Sequence, residues 1–386
     1  MSHSACDCVR AASNFILSDM AIRSRIWLAL WLVFACFALV SCGGGDVAES
    51  NSPNATSNQS GETPVFSADL EVVGNLDDLS GELIFIEQRA QPNFRVAQLD
   101  LTTGEVDTLF QVPENAWIYE VAVPSDEQLV FSYSPPSAAD GSAQLDRSGI
   151  YTLDLSSESS TPEAWIEPEG AKIFIAYPTF SRDHSLLYYS RIDQSGEESE
   201  RQVITLMAYD VASATSERVM PYALMPSFGG EENIMAYVRV NRITQVRSLQ
   251  IASLAQNIQM DLVPELEFYD IGRPLFSPDG SWIYFVALED PLNSEDVLGN
   301  LLLGQPAYAH GNHNLPGDWW RRSRNGQLTQ VFTDLSVLIY DGVFSPDGQH
   351  FAFSTAEGIY VIGVDDASKP QLIVESRAIR DIDWIR

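Results

Sequence analysis

Phe276-Ser277-Pro278-Asp279-Gly280-Ser281-Trp282-Ile283-Tyr284-Phe285 and Phe344-Ser345-Pro346-Asp347-Gly348-Gln349-His350-Phe351-Ala352-Phe353 are near copies of one another. Each reads as a strand end, a tight turn and a second strand. Ser-Pro-Asp-Gly is turn chemistry, because Pro presets φ, Asp accepts backbone hydrogen bonds and Gly takes a positive φ. Phe180-Ser181-Arg182-Asp183-His184-Ser185-Leu186-Leu187-Tyr188-Tyr189 is a third copy. Degraded copies start at Val123 and Phe228.

Outward from each hairpin lies a further strand pair. Arg95–Leu101 is followed by Glu105–Phe110, and Gly358–Val364 by Pro370–Val374. Short runs rich in Val, Ile, Phe and Tyr alternate with Asp, Gly, Ser and Pro turns, and long amphipathic helical patterns are missing. Four strands per unit, repeated radially, predict an all-β fold: a β-propeller of four-stranded blades. The markers Val123, Phe180, Phe228, Phe276, Phe344 and Trp384 recur about every 52 residues. Trp384 sits in a first strand with nothing after it, whereas Glu82–Glu87 is a second strand with no first strand before it. The C-terminal strand is therefore expected to complete the N-terminal blade, making six blades over residues 66–386. A solenoid would instead require caps.

The Phe-Ser-Pro-Asp-Gly units, with strands such as Asp318-Trp319-Trp320 and Gly326-Gln327-Leu328-Thr329, resemble TolB-type (WD40-like) propeller repeats. Similar repeats form the N-terminal propellers of prolyl-oligopeptidase and dipeptidyl-peptidase relatives. The resemblance spans roughly residues 80–386 and implies fold more than function, since the repeated residues are turn and packing residues. In the peptidase relatives a hydrolase domain follows, but here the sequence stops at Arg386 and contains no Gly-x-Ser-x-Gly elbow. A serine hydrolase is not expected.

Two sets of residues could carry a site. Three positions before each marker stand Glu120, Tyr177, Met225, Arg273, Asp341 and Asp381. Equivalent strand positions lie at equivalent heights, so these six should ring the channel mouth, with three acids and one Arg suited to a cation or a basic peptide. The plainer reading, preferred from the residues alone, is that Arg273 pairs with a neighbouring acid and the ring holds only water. The longest interval, 276 to 344, contains an insertion over 291–318 with His310, His313 and Asp318. Some TolB-type propellers are polysaccharide lyases with a His-bound metal, so the resemblance admits a metal-assisted lyase or hydrolase here. His-x-x-His in a loop is undirected spacing, however, and neither metal nor cofactor is expected. Asp183, Asp279 and Asp347 read as turn residues.

The cellular address is written at the other end. Residues 26–41, IWLALWLVFACFALVS, are uncharged and follow Arg23 and Arg25. That length suits the core of a signal peptide better than a spanning helix. The run ends in Leu39-Val40-Ser41-Cys42-Gly43, which resembles a bacterial lipobox. The resemblance implies cleavage of 1–41, a lipid on Cys42, and, with Gly43 rather than Asp next, an outer-membrane lipoprotein facing periplasm or medium. Met20 makes a more compact signal than Met1 and is the expected start. Residues 42–65 read as a flexible tether.

All 4 cysteines lie within the first 42 residues, so no disulfide framework is expected in the folded part. With 22 Lys+Arg against 53 Asp+Glu the formal charge is −31, which argues against a nucleic-acid partner. The 45% apolar content is enough for a core. The expected function is a non-catalytic, lipid-anchored monomeric propeller that binds or scaffolds a protein or glycan at the bacterial cell envelope. A metal-assisted enzyme using the His310/His313 loop and a subunit of an outer-membrane assembly are the alternatives.

Overall fold

The computed structural model describes residues 70–386 except 91–92, 126, 158–160, 197–201, 230–232, 290–316, 333–338, 365–368 and 378. The segment expected to be a signal, with Met20, and the expected lipidation site Cys42 and tether lie outside the described residues, as do His310 and His313.

The chain forms six antiparallel blades. Blade one contains β2 (Glu82–Ala90), β3 (Asn93–Asp100) and β4 (Val106–Gln111). Blade two is β5 (Trp117–Ser125), β6 (Gln128–Ser134), β7 (Gly149–Asp154) and β8 (Glu163–Ile166). Blade three is β9 (Ile173–Phe180), β10 (Leu186–Asp193), β11 (Val203–Asp210) and β12 (Thr215–Pro221). Blade four is β13 (Ala223–Phe228), β14 (Ile234–Val240), β15 (Arg247–Ser253) and β16 (Ile258–Val263). Blade five is β17 (Asp270–Phe276), β18 (Trp282–Leu288), β19 (Asp318–Ser323) and β20 (Leu328–Gln330). Blade six is β21 (Ile339–Phe344), β22 (His350–Thr355), β23 (Gly358–Gly363) and β24 (Gln371–Glu375).

Closure is as the sequence predicts. The C-terminal strand β25 (Ile379–Ile385) becomes the inner strand of blade one, with Leu83 opposite Trp384 and Phe85 opposite Ile382. Trp384 is buried and its Nε1 donates to the Ser80 carbonyl at 2.9 Å. Gly81 is needed beside it: its φ is +88°, and a Cβ there would meet the Ile385 carbonyl oxygen at 2.2 Å. One strand was not read from the sequence. A two-residue β1 (Glu71–Val72) pairs with β24 and makes blade six five-stranded. Its pattern is too short to show a period.

Burial grades from the axis outward. Second strands such as β18 are buried on both faces because neighbouring blades cover both, whereas outer strands such as β12 begin with exposed residues. Separate apolar clusters cement the blade boundaries. One joins Leu83, Leu99 and Trp384 to Val361 and Ile373 across the closure, and another joins Trp319 and Val286 to Phe351 and Phe353. At about 25 cal/mol per Å² of apolar surface removed from water, these interfaces are the main stabilising force.

The repeated turns behave alike. Ser181, Ser277 and Ser345 donate Oγ protons to Asp183, Asp279 and Asp347 at 2.7, 2.6 and 2.6 Å. The same carboxylates accept from the backbone of Ser185, Ser281 and Gln349. These bonds hold all three carboxyls below their ordinary range. His184 takes φ 57° where the other two turns use Gly280 and Gly348.

Candidate functional site: an acidic channel mouth

Every inner strand breaks register at or beside its ring position. A bulge inserts an unpaired residue and re-aims side chains. The consequence is that Glu120, Tyr177, Met225, Arg273, Asp341 and Asp381 all line one cavity of about 270 Å³. Residues C-terminal to the ring complete the lining, with His184 of the β9–β10 turn, so the cavity opens on the face that carries the Ser-Asp turns.

Arg273 organises the charge. Its Nη1 lies 3.5 Å from Asp341 Oδ1 and 3.4 Å from Asp381 Oδ1, and its guanidinium sits 5.6 Å from the Tyr177 ring centre. Burial opposes its charge, but Asp341 and Asp381 outweigh that and raise its pKa further. Asp381 also accepts the Val121 N–H at 2.6 Å through Oδ2. Two residues on, along the same strand face, Asp383 accepts the Val123 N–H at 2.9 Å. Asp383 is a lining residue that the ring rule missed, although the alternation from Asp381 would have found it.

Glu120, Asp381 and Asp383 hold protons unusually well. Glu120 is 3% exposed, and its Oε2 has no hydrogen-bond partner. Burial pushes its pKa up to about 7, although Arg273 and the Tyr177 backbone N–H pull it down. Burial and the adjacent Asp341 carboxylate raise Asp381 well above its usual range. Burial lifts Asp383 to about 6 against the Val123 and Trp384 N–H groups. Burial, then Glu120, raises Tyr177, so its phenol stays neutral.

Among the sequence candidates of the insertion, only Asp318 is described. It begins β19, and its Oδ2 accepts from Gln330 Nε2 at 2.8 Å. Burial, then Glu289, raises its pKa. Among the described residues no three His, Cys, Asp or Glu side chains are grouped to hold a metal ion.

Six blades, radial repetition and a C-terminal strand closing the N-terminal blade can be compared with solved structures. TolB from Acinetobacter baumannii superposes with a TM-score of 0.55 at 15% identity, covering 81% of this chain and 68% of that one. The fold is a TolB-like β-propeller. A chain of a nidogen/laminin complex matches the TolB-like propeller at TM-score 0.53 and 8% identity, over 78% of this chain and 97% of its own. Neither a family model nor a curated protein matches the sequence. At these identities the likeness shows fold alone.

Proposed function

We propose that this TolB-like propeller is a non-catalytic binding module, lipidated at Cys42 and held at the bacterial envelope, whose protein or glycan partner docks at the channel mouth. The observation that carries this reading is the mouth itself: a concave site on the axis where three acids converge on one Arg. Asp381 and Asp383 are tied to the Val121 and Val123 N–H groups rather than to a nucleophile. Thr179 Oγ1, the aliphatic hydroxyl of the lining, donates to the Pro226 carbonyl at 3.0 Å instead of to a base. The lipobox-like Leu39–Gly43 supports the envelope part of the reading.

Capture from detergent-solubilised envelope tests it, with full-length wild type and Asp341→Asn compared side by side. A partner enriched on wild type and depleted on the variant is the expected result. Equal recovery on both would remove the mouth as the docking site. Elemental analysis finding one zinc or manganese per chain, lost in His310→Ala, would favour the enzyme alternative.

A further inference from the structure

The ligand class of the mouth follows from which of its acceptors are already used. Asp381 spends one oxygen on the Val121 N–H and the other on Arg273, while Asp341 Oδ1 faces the same guanidinium. Glu120 lines the cavity, and its Oε2 is buried without a partner; such an atom costs free energy until a donor reaches it. With three acids against one Arg, the ring can still accept positive charge. The wall above it has a different character. Pro178, Pro226 and Pro274 follow Tyr177, Met225 and Arg273 on successive blades and line the same cavity with Val343 and Ile382. Apolar walls leading to an acidic floor match an alkyl stem that ends in a compact cation.

Resting on the binding reading above, we propose that the mouth takes an alkylammonium group, the side chain of a lysine on a partner polypeptide. The ammonium donates to Glu120 Oε2 and faces Asp341, while the methylenes lie along the three prolines. A lysine carries a single charge at the tip and keeps its backbone outside. A free diamine would leave its second ammonium against the prolines, and a divalent metal ion would need ligands that the described residues do not group. The host chain is poorly suited to supply the lysine from a second copy, since it has only Lys172 and Lys369 and a net charge of −31. That charge attracts a basic partner.

The test uses full-length protein and four probes, with calcium as a competitor: butylammonium, the peptide acetyl-Gly-Gly-Lys-Gly-Gly-amide and its norleucine and arginine counterparts. Titration followed by calorimetry and by tryptophan or NMR signals should show saturable binding of the first two. The norleucine peptide should bind at least tenfold more weakly. Glu120→Gln should weaken the lysine peptide about tenfold while melting no lower than wild type, so that lost binding is not lost folding. Equal binding of the norleucine peptide, tighter binding of an arginine peptide, or displacement of butylammonium by stoichiometric calcium would overturn the proposal. An envelope partner held equally by wild type and Glu120→Gln would overturn it too, while leaving the binding-module reading intact with its docking site elsewhere. Saturable butylammonium binding with no partner captured would support the ammonium site and count against the binding-module reading.

Discussion

The ring at the channel mouth has two unlike halves. On blades three, four and five, Tyr177, Met225 and Arg273 have φ of 58°, 52° and 51°, and each precedes a proline. On blades six, one and two, Asp341, Asp381 and Glu120 have no positive φ and are followed by Gly342, Ile382 and Val121. The difference is chemical as well as conformational. A proline offers no N–H, so a neighbouring carboxylate has nothing to accept there. Where the next residue keeps its N–H, a carboxylate can anchor to it, as Asp381 does on Val121. One half of the mouth is therefore a proline-lined wall that carries Arg273, and the other holds the buried acids, with Asp381 anchored to a backbone donor.

The acidic half depends on β25, which brings both Asp381 and Asp383, so removing that strand should have the largest effect. Deleting 379–386 should prevent cooperative folding, and Trp384→Ala alone should cost about 3–5 kcal/mol by denaturant melts. Among the described residues, deleting the N-terminus through Val72 removes Leu70 and the outer-edge β1 and should cost about 1 kcal/mol. A truncated protein lacking β25 that melts like wild type would break the distinction between the closing strand and the edge strand.

Arg273 is the proline half's contribution to the acids, and Arg273→Met leaves them uncompensated. A loss of about 3 kcal/mol is expected at pH 8, as for other buried pairs deprived of one partner. The loss should shrink at pH 5, where Glu120, pushed up to about 7, binds a proton. A pH-independent loss would mean that Arg273 acts by packing alone.

The acids also set a pH dependence for the wild type. Glu120 goes from an ordinary 4.5 to about 7 and Asp383 from 3.8 to about 6, so the folded state binds more protons than the unfolded. Their contribution to stability is full below the unfolded values and is lost as pH rises through about 7 and about 6. Thermal melts should therefore run several degrees higher at pH 5 than at pH 8, and Glu120→Gln should flatten the curve. The turn aspartates shift the opposite way, below their ordinary 3.8, so the stability they lend is lost only in stronger acid. A melting temperature that climbs from pH 5 to pH 8 would contradict the burial of Glu120.

The smallest effect serves as a control. Asp279→Ala and Asp347→Ala change equivalent turns on opposite halves and should each cost about 1 kcal/mol, the worth of a local hydrogen bond. Unequal losses would show that the halves differ beyond the ring.

The sequence by itself determined the blade count, the turn chemistry, the closure by β25 and the identity of all six ring residues. These depend on local rules that repeat: Ser-x-Asp turns, alternation along a strand, and a fixed offset from a marker. The Tyr-Pro, Met-Pro and Arg-Pro pairs were also legible at that offset, and they foreshadow the apolar half. Only the tertiary structure decided which acids face Arg273, that Glu120 Oε2 is left without a donor, and that β1 joins blade six. Those outcomes depend on strands brought together across the ring, as Asp381 and Val121 are from positions 260 residues apart. No local pattern encodes the distance between two side chains whose backbones meet only when the ring closes.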